Sequence, residues 1–353
     1  MKIKFKLGRK FIGDNLPCLI VAELSGNHRG KFSRVKNLII KAKKSGADLI
    51  KLQTYTPDTI TLNSNKKDFR INKNTPWKKN KNLWDLYNKA YTPWEWHKKI
   101  FELGKKLQID IFSSPFDETA VDLLESLNCP AYKIASAEIN HIPLLIKVAQ
   151  TKKPIILSIG LASLKDLQFA IKVLKKNGSK KIIILQCVSS YPSPVNEQNL
   201  KTLPALRKKF NSMVGLSDHT LGISTPIAAT VLGASLIEKH FNLDDDEKTV
   251  DSFFSLKEEN FKKMVVSIRE AEASLGTIEY GISKSSKKNL NSRRSIYISK
   301  RINKGEKISL KNIRVVRPSF GLHPKYFKKI LGKKINKNLN FGDRLMLKYI
   351  SKD

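Results

Sequence analysis

The sequence predicts an α/β protein: a TIM (β/α)8 barrel followed by a small β-rich domain. Three observations carry this. Eight short apolar runs recur between residues 18 and 241. The segments between them show helical periodicity. After about residue 275 the texture changes to a polar linker and then to short β-like runs punctuated by Gly and Pro. A chain of 353 residues has room for one large domain and one small one.

The runs are CLIVAEL (18–24), DLIKLQTY (48–55), IDIFSSPF (109–116), AYKIAS (131–136), PIILSIG (154–160), KIIILQC (181–187), MVGLSDH (213–219) and SLIEKHF (235–241). They are rich in Val, Ile and Leu, as parallel strands covered on both faces are. The spacer SRVKNLIIKAKKSGA puts Val35, Leu38, Ile39 and Ala42 on one helical face and then stops at a Gly. TAVDLLESLN, LKDLQFAIKVLKKNG and TPIAATVLGA behave alike. Eight such βα units suit a closed barrel, and a doubly wound open sheet is the competing arrangement. Residues 56–95 interrupt the rhythm after the second run. All four Trp of the chain lie within residues 77–96, which predicts a packed lid on the face where barrel loops set specificity. A helix is expected from Asn260 to about Leu275. The expected domains are 1–275, a linker at 276–291, and 292–353.

The net charge is +35, from 66 Lys and Arg against 31 Asp and Glu. Twelve of the basic residues are Arg and the rest Lys, scattered from end to end. No zinc-finger spacing, RNP-type motif or basic heptad accompanies them, so the charge does not argue for nucleic acid as a partner. Attraction of an anionic substrate is the weaker consequence that remains. No run reaches the ~18 apolar residues of a membrane span, and MKIKFKLGRKF lacks the apolar core of a signal peptide. Cys18, Cys129 and Cys187 are few and odd in number, which points to the cytoplasm and away from disulfides.

Barrel chemistry sits at the C-terminal ends of strands. The runs end there in Glu23, with Asn27 and His28 following; in Lys51 and Gln53; in Ser113 and Ser114; in Lys133 and Ser136, with Glu138 after; in Ser158; in Ser189, Ser190 and Tyr191; in Ser217, Asp218 and His219; and in Glu238, Lys239 and His240. Together they describe a polar, cationic cup. Lys51 and Lys133 among Ser hydroxyls suit a phosphate and a carboxylate, unless each lysine is simply paired with a nearby Glu. His219 and His240 end neighbouring runs, so their rings can converge on a divalent metal, with Glu23 and Asp251 near the rim. Single hydrogen-bonded histidines are the alternative. Cys187 beside the cup reads as a small buried hydrophobe. No nucleophile elbow or phosphate-binding Gly loop is present.

AELSGNH (22–28), KLQTYTPDTITL (51–62), YTPWEWH (91–97), FSSPFD (112–117), YKIAS (132–136), VGLSDHTLG (214–222), IEKHF (237–241) and VRPSFGLHPK (316–325) closely resemble the sialic acid (nonulosonate) synthase family, nearest its pseudaminate-forming branch. The resemblance runs over essentially the whole chain. It implies that the β-rich tail is an antifreeze-like (SAF) domain. It implies a transferase that condenses phosphoenolpyruvate with an open-chain amino-sugar aldehyde, here 2,4-diacetamido-2,4,6-trideoxy-L-altrose. N-acetylneuraminate or legionaminate synthesis is the same chemistry on another sugar. A retired barrel that only binds carbohydrate or nucleic acid is a reading of a different kind, and competent residue types at Glu23, Lys51, Lys133, His219 and His240 argue against it.

The resemblance further implies Mn2+ or Mg2+ on His219 and His240. It places phosphoenolpyruvate on Lys51, Ser114, Lys133, Ser136, Ser158, Ser189 and Ser217, and makes Glu23 the catalytic carboxylate. The sugar side falls to Glu138, Tyr191, Asp251 and Arg317, the last from the SAF domain of a partner subunit in a domain-swapped homodimer. The family pattern has Ser-Thr-Gly after the fifth strand, whereas residues 158–160 read Ser-Ile-Gly.

Overall fold

The structure is a computed structural model and describes residues 3–72, 75–245 and 248–351. The chain divides into two compact units, Met1–Gly276 and Thr277–Asp353.

The first unit begins with an antiparallel hairpin, β1 (Lys4–Leu7) and β2 (Lys10–Gly13). The sequence reading did not anticipate it. Gly8 turns the chain at φ +63°, where a side chain is disfavoured. Leu7 and Ile12 are fully buried in the main core. Arg9 N–H donates to Asp110 at 2.5 Å and Lys10 pairs with Asp48. Both acids stand where barrel strands begin, so the hairpin lies at the N-terminal end of the barrel.

Eight parallel strands follow: β3 (Leu19–Glu23), β4 (Leu49–Thr54), β5 (Asp110–Pro115), β6 (Tyr132–Ile134), β7 (Ile155–Ser158), β8 (Ile182–Cys187), β9 (Met213–Asp218) and β10 (Leu236–Asn242). Each pairs with the next, and β10 closes the ring on β3 through Leu236↔Leu19 to His240↔Glu23. A closed parallel barrel, not an open sheet, is therefore the architecture. A two-residue strand, β11 (Leu256–Lys257), adds to the outside of β10.

The outer helices form for the reasons the periodicity gives. Phe32–Lys44 buries Val35, Leu38, Ile39 and Ala42 and carries Lys41, Lys43 and Lys44 in its last turn, which complements the helix dipole. Leu164–Lys176 starts at a capping box between Ser163 and Asp166 and buries Leu167, Ala170, Ile171 and Leu174. The last helix of the first unit, Glu258–Leu275, begins two residues before the expected Asn260. The insertion holds short helices at Pro57–Ile60 and Leu83–Ala90 before Trp94–Lys106 resumes the pattern.

In the second unit residues 277–294 are exposed throughout. Beyond them β12 (Ser295–Ile298) pairs antiparallel with β13 (Ile313–Val316) over a small core of its own, which includes Ile296, Ile302, Ile335 and Leu345.

Candidate active site

A cavity of about 560 Å3 opens at the C-terminal ends of the barrel strands. Strand alternation decides what faces it. On β10, Glu238 and His240 point inward and line the cavity, whereas Lys239 between them points outward. Lys51 of β4, Lys133 of β6 and Ser217 of β9 line it from their own strands, and the loops beyond add Ser136, Glu138, Ser189, Tyr191, His219 and Asp251. Ten of the residues expected on phosphoenolpyruvate, metal or sugar thus share one cavity.

The floor is a buried ion network. Lys51 Nζ lies 2.9 Å from Glu23 Oε2 and 3.0 Å from Glu238 Oε1. Lys133 Nζ donates to the same Glu238 oxygen at 3.1 Å, and so does Ser217 Oγ at 3.2 Å. Glu23 is fully buried, and its Oε1 accepts from Ser25 N–H at 3.0 Å and Gln53 Nε2 at 3.1 Å. The two carboxylates are driven apart. Burial raises both, but for Glu238 the Lys133 and Lys51 ammoniums outweigh it and hold the carboxyl well below the usual range. For Glu23 burial prevails over Lys51, and its pKa is raised. Two acids displaced in opposite directions are how a site separates a proton carrier from a permanent counter-ion. Glu238 was visible as a polar strand tip, but neither it nor Gln53 was given a role from sequence. The lysines are paired with Glu and also face the cavity, so the two readings of them coexist.

Ser136 and Ser189 meet Gly160 at the mouth of β7. Gly160 N–H donates to Ser136 Oγ at 3.0 Å. A Cβ on Gly160 would come 2.3 Å from Ser189 Oγ, 3.0 Å from Ser136 Oγ and 3.1 Å from Cys187 Sγ. The need for glycine here is therefore space. Gly160→Ala is expected to raise the KM for the anionic substrate by about ten-fold or more, while core overpacking costs about 1–3 kcal/mol of stability. Steady-state kinetics beside a thermal melt separates the two effects. Ser114 and Ser158 are buried with hydroxyls that lack a protein partner, and neither lines the cavity. Arg317 is exposed in the second unit, just after β13.

The rings of His219 and His240 are 5.4 Å apart, centroid to centroid, at 64°. Tyr191 packs on His219 at 4.5 Å and Phe254 on His240 at 4.6 Å. His219 Nδ1 lies 3.0 Å from the Val188 carbonyl oxygen, which leaves Nε2 as the ring nitrogen for other work. His240 Nδ1 is buried with no protein partner. Burial and the neighbouring His219 push His240 well below the ordinary imidazole range, so it stays neutral and ligand-ready. Among the described residues no three His, Cys, Asp or Glu side chains form a metal cluster. The donor set is thus two imidazoles. It fits a divalent cation that completes its shell with water and substrate oxygens.

The insertion supplies the far wall. Trp77 donates from Nε1 to the Val250 carbonyl at 3.0 Å and packs edge-on against Tyr191 and Phe253. Arg70, Leu86 and Tyr87 also line the cavity. Burial raises the Glu138 carboxyl from its ordinary 4.5 to about 7, and its Oε2 has no protein partner. The sign follows directly. Glu138 is neutral below about pH 4.5 in both folded and unfolded chains, and stability falls as pH rises through about 7 by at most about 3 kcal/mol. Glu138→Gln should then raise Tm at pH 8 and leave it unchanged at pH 4. An equal Tm at pH 8 would refute this.

A closed barrel whose mouth joins buried lysine–carboxylate pairs to two facing imidazoles is the apparatus of a small-molecule enzyme. The chain belongs to the NeuB family, whose model matches residues 38–280, and a SAF domain matches residues 293–348. It is 48% identical to the pseudaminic acid synthase of Helicobacter pylori over 92% of this chain and 95% of that one. It is 35% identical to the N,N'-diacetyllegionaminic acid synthase of Legionella pneumophila over 97% of each. A crystal structure of N-acetylneuraminic acid synthetase from Leptospira borgpetersenii superposes with a TM-score of 0.71 at 29% identity, covering 82% of this chain and 96% of that one.

Proposed function

We propose that the protein is a pseudaminic acid synthase: it condenses phosphoenolpyruvate with 2,4-diacetamido-2,4,6-trideoxy-L-altrose and releases phosphate. The observation that carries this is the juxtaposition of an anion-binding floor, Lys51 and Lys133 with Ser136, Ser189 and Ser217, with the His219–His240 pair in one cavity. The near-full-length similarity to the Helicobacter enzyme supports the choice of sugar.

In this reading Lys51 and Lys133 hold the carboxylate and phosphate of phosphoenolpyruvate. Ser136, Ser189 and Ser217 donate to the oxygens, and Gly160 leaves them room. Ser114 and Ser158 are assigned to the same cradle in this reading on their buried, unpartnered hydroxyls, although neither lines the cavity. A divalent cation, Mn2+ or Mg2+, would be held by His219 and His240 and would polarise the aldehyde. The enol C3 then forms a bond to the aldehyde carbon, and the aldehyde oxygen gains a proton. Water adds at C2; one of its protons passes through Glu23 to the aldehyde oxygen, the other leaves with phosphate as the C2–O bond breaks, and the ketone remains. Holding the two reactants side by side in one pocket makes the condensation effectively unimolecular, an effect worth up to about 7–11 kcal/mol. Glu138, Tyr191 and Asp251 face the sugar.

Arg317 would reach the sugar from a partner subunit in a domain-swapped homodimer. Cytoplasmic residence belongs to the same reading. The three cysteines are free thiols, and no helix among the described residues is long and apolar enough to cross a membrane.

The test is phosphate release from phosphoenolpyruvate with Mn2+. It compares the altrose sugar, N-acetylmannosamine and the legionaminate precursor. Release with the altrose sugar alone is expected. Preference for another sugar overturns the substrate assignment and moves the enzyme to a sister branch. Release with none overturns the catalytic reading.

A further inference from the structure

Strands β9 and β10 run side by side with Glu238 opposite Ser217 and Lys239 opposite Asp218. The pleat sorts three successive levels. Ser217 and Glu238 face into the barrel and bond to each other. Asp218 and Lys239 face out. His219 and His240, one residue further on, line the cavity. The outward pair is fully buried on both sides, with Lys239 Nζ 2.5 Å from Asp218 Oδ2. The same ammonium donates to the Thr220 carbonyl and, at 3.3 Å, to the Gly222 carbonyl. Asp218 in turn accepts from Thr220 N–H at 2.9 Å and from its hydroxyl at 3.1 Å. His219 is therefore flanked by two residues tied to one ammonium, and that ammonium belongs to the residue before His240.

We propose that the Lys239–Asp218 pair is a positioning device: it locks the ends of β9 and β10 and the turn at 219–222 so that the two imidazoles face each other across the cavity. Neither residue touches substrate. The proposal rests on the reading of His219 and His240 as cation ligands for its functional consequence, though not for its geometry. A carboxylate–ammonium bond across the strands fixes register. The carbonyl contacts fix the direction in which the chain leaves β9. Without them His219 is held by its ring contacts to the Val188 carbonyl, Tyr191 and Phe254 and by the bond from Ser193 N–H to its carbonyl, none of which ties β9 to β10.

The test is the full-length double variant D218L/K239M. Apolar replacement of a whole buried pair is commonly tolerated, whereas removal of one partner is not. D218N/K239M, which keeps the shape of the Asp218 side chain and leaves no unpaired buried charge, is the second variant if the first does not fold. Three readouts are needed: a crystal structure, calorimetric titration with Mn2+, and calorimetric titration with phosphoenolpyruvate. The expected result is a folded protein in which the rings depart from the 5.4 Å separation. Mn2+ should bind about 10- to 100-fold more weakly, and phosphoenolpyruvate as before. Rings that stay in place with unchanged Mn2+ affinity overturn the proposal. Equal loss of both ligands also overturns it, because the pair then merely holds the barrel together. If the parent protein does not bind Mn2+, the cation reading of the histidines fails, and ring separation in the crystals still decides the positioning claim.

Discussion

Replacing both His219 and His240 with Ala is expected to eliminate bound Mn2+ and lower turnover by about a thousand-fold, since Lewis-acid activation of a carbonyl is worth several kcal/mol. The rings sit against Tyr191 and Phe254, so part of any stability change is lost packing. His→Gln variants at both positions keep more of the volume and should lose the metal equally. The check is metal content after gel filtration, beside turnover with and without chelator. Full activity in a chelated parent enzyme would remove the metal from the mechanism and leave the pair as aromatic filler.

Glu238→Ala is expected to be the most damaging single change on the floor. It leaves Lys133 without its carboxylate and Lys51 with Glu23 alone. Breaking a buried pair from one side costs about 3–5 kcal/mol, because the stranded charge stays buried. Phosphoenolpyruvate should partly rescue the variant by bringing its own negative charge to the lysines. Thermal melts with and without the ligand test this, and the ligand-induced rise in Tm should be larger in the variant than in the parent. A variant as stable as the parent without ligand would mean that Lys133 escapes to solvent. Its near-complete burial argues against that.

The barrel was legible because its strands are covered on both faces and read as unbroken apolar runs; all eight fall where the runs lie. The polar tips were legible too, since few residues at those positions have a reason to be polar other than chemistry. What alternates within a tip was not. SLIEKH shows three polar residues in a row, and only the register of β10 against β9 and β3 separates Glu238 and His240 inside from Lys239 outside. Gly160 escaped for a similar reason, because its value lies in three side chains contributed by other parts of the chain. The N-terminal hairpin escaped because KFKL and KFIG are only four residues each and bury little besides Leu7, Ile12 and Gly13. The long basic composition, conspicuous in sequence, has no counterpart among the described residues of the site beyond its two floor lysines and Arg70 on the wall.

The clustering of tryptophan in the insertion and the first turn of the helix that follows it has a practical use. Trp77 lies on the cavity wall, Trp94 donates to the Tyr55 carbonyl, Trp84 to Asp58, and Trp96 stacks edge-on with His28 and Phe32. No tryptophan exists in the strands of the barrel or in the second unit. Tryptophan emission from this protein is therefore a native optical probe of the insertion and the helix that follows it, with Trp77 on the cavity wall. A sugar that contacts Trp77 would announce itself by quenching or a spectral shift, without any label and without waiting for turnover.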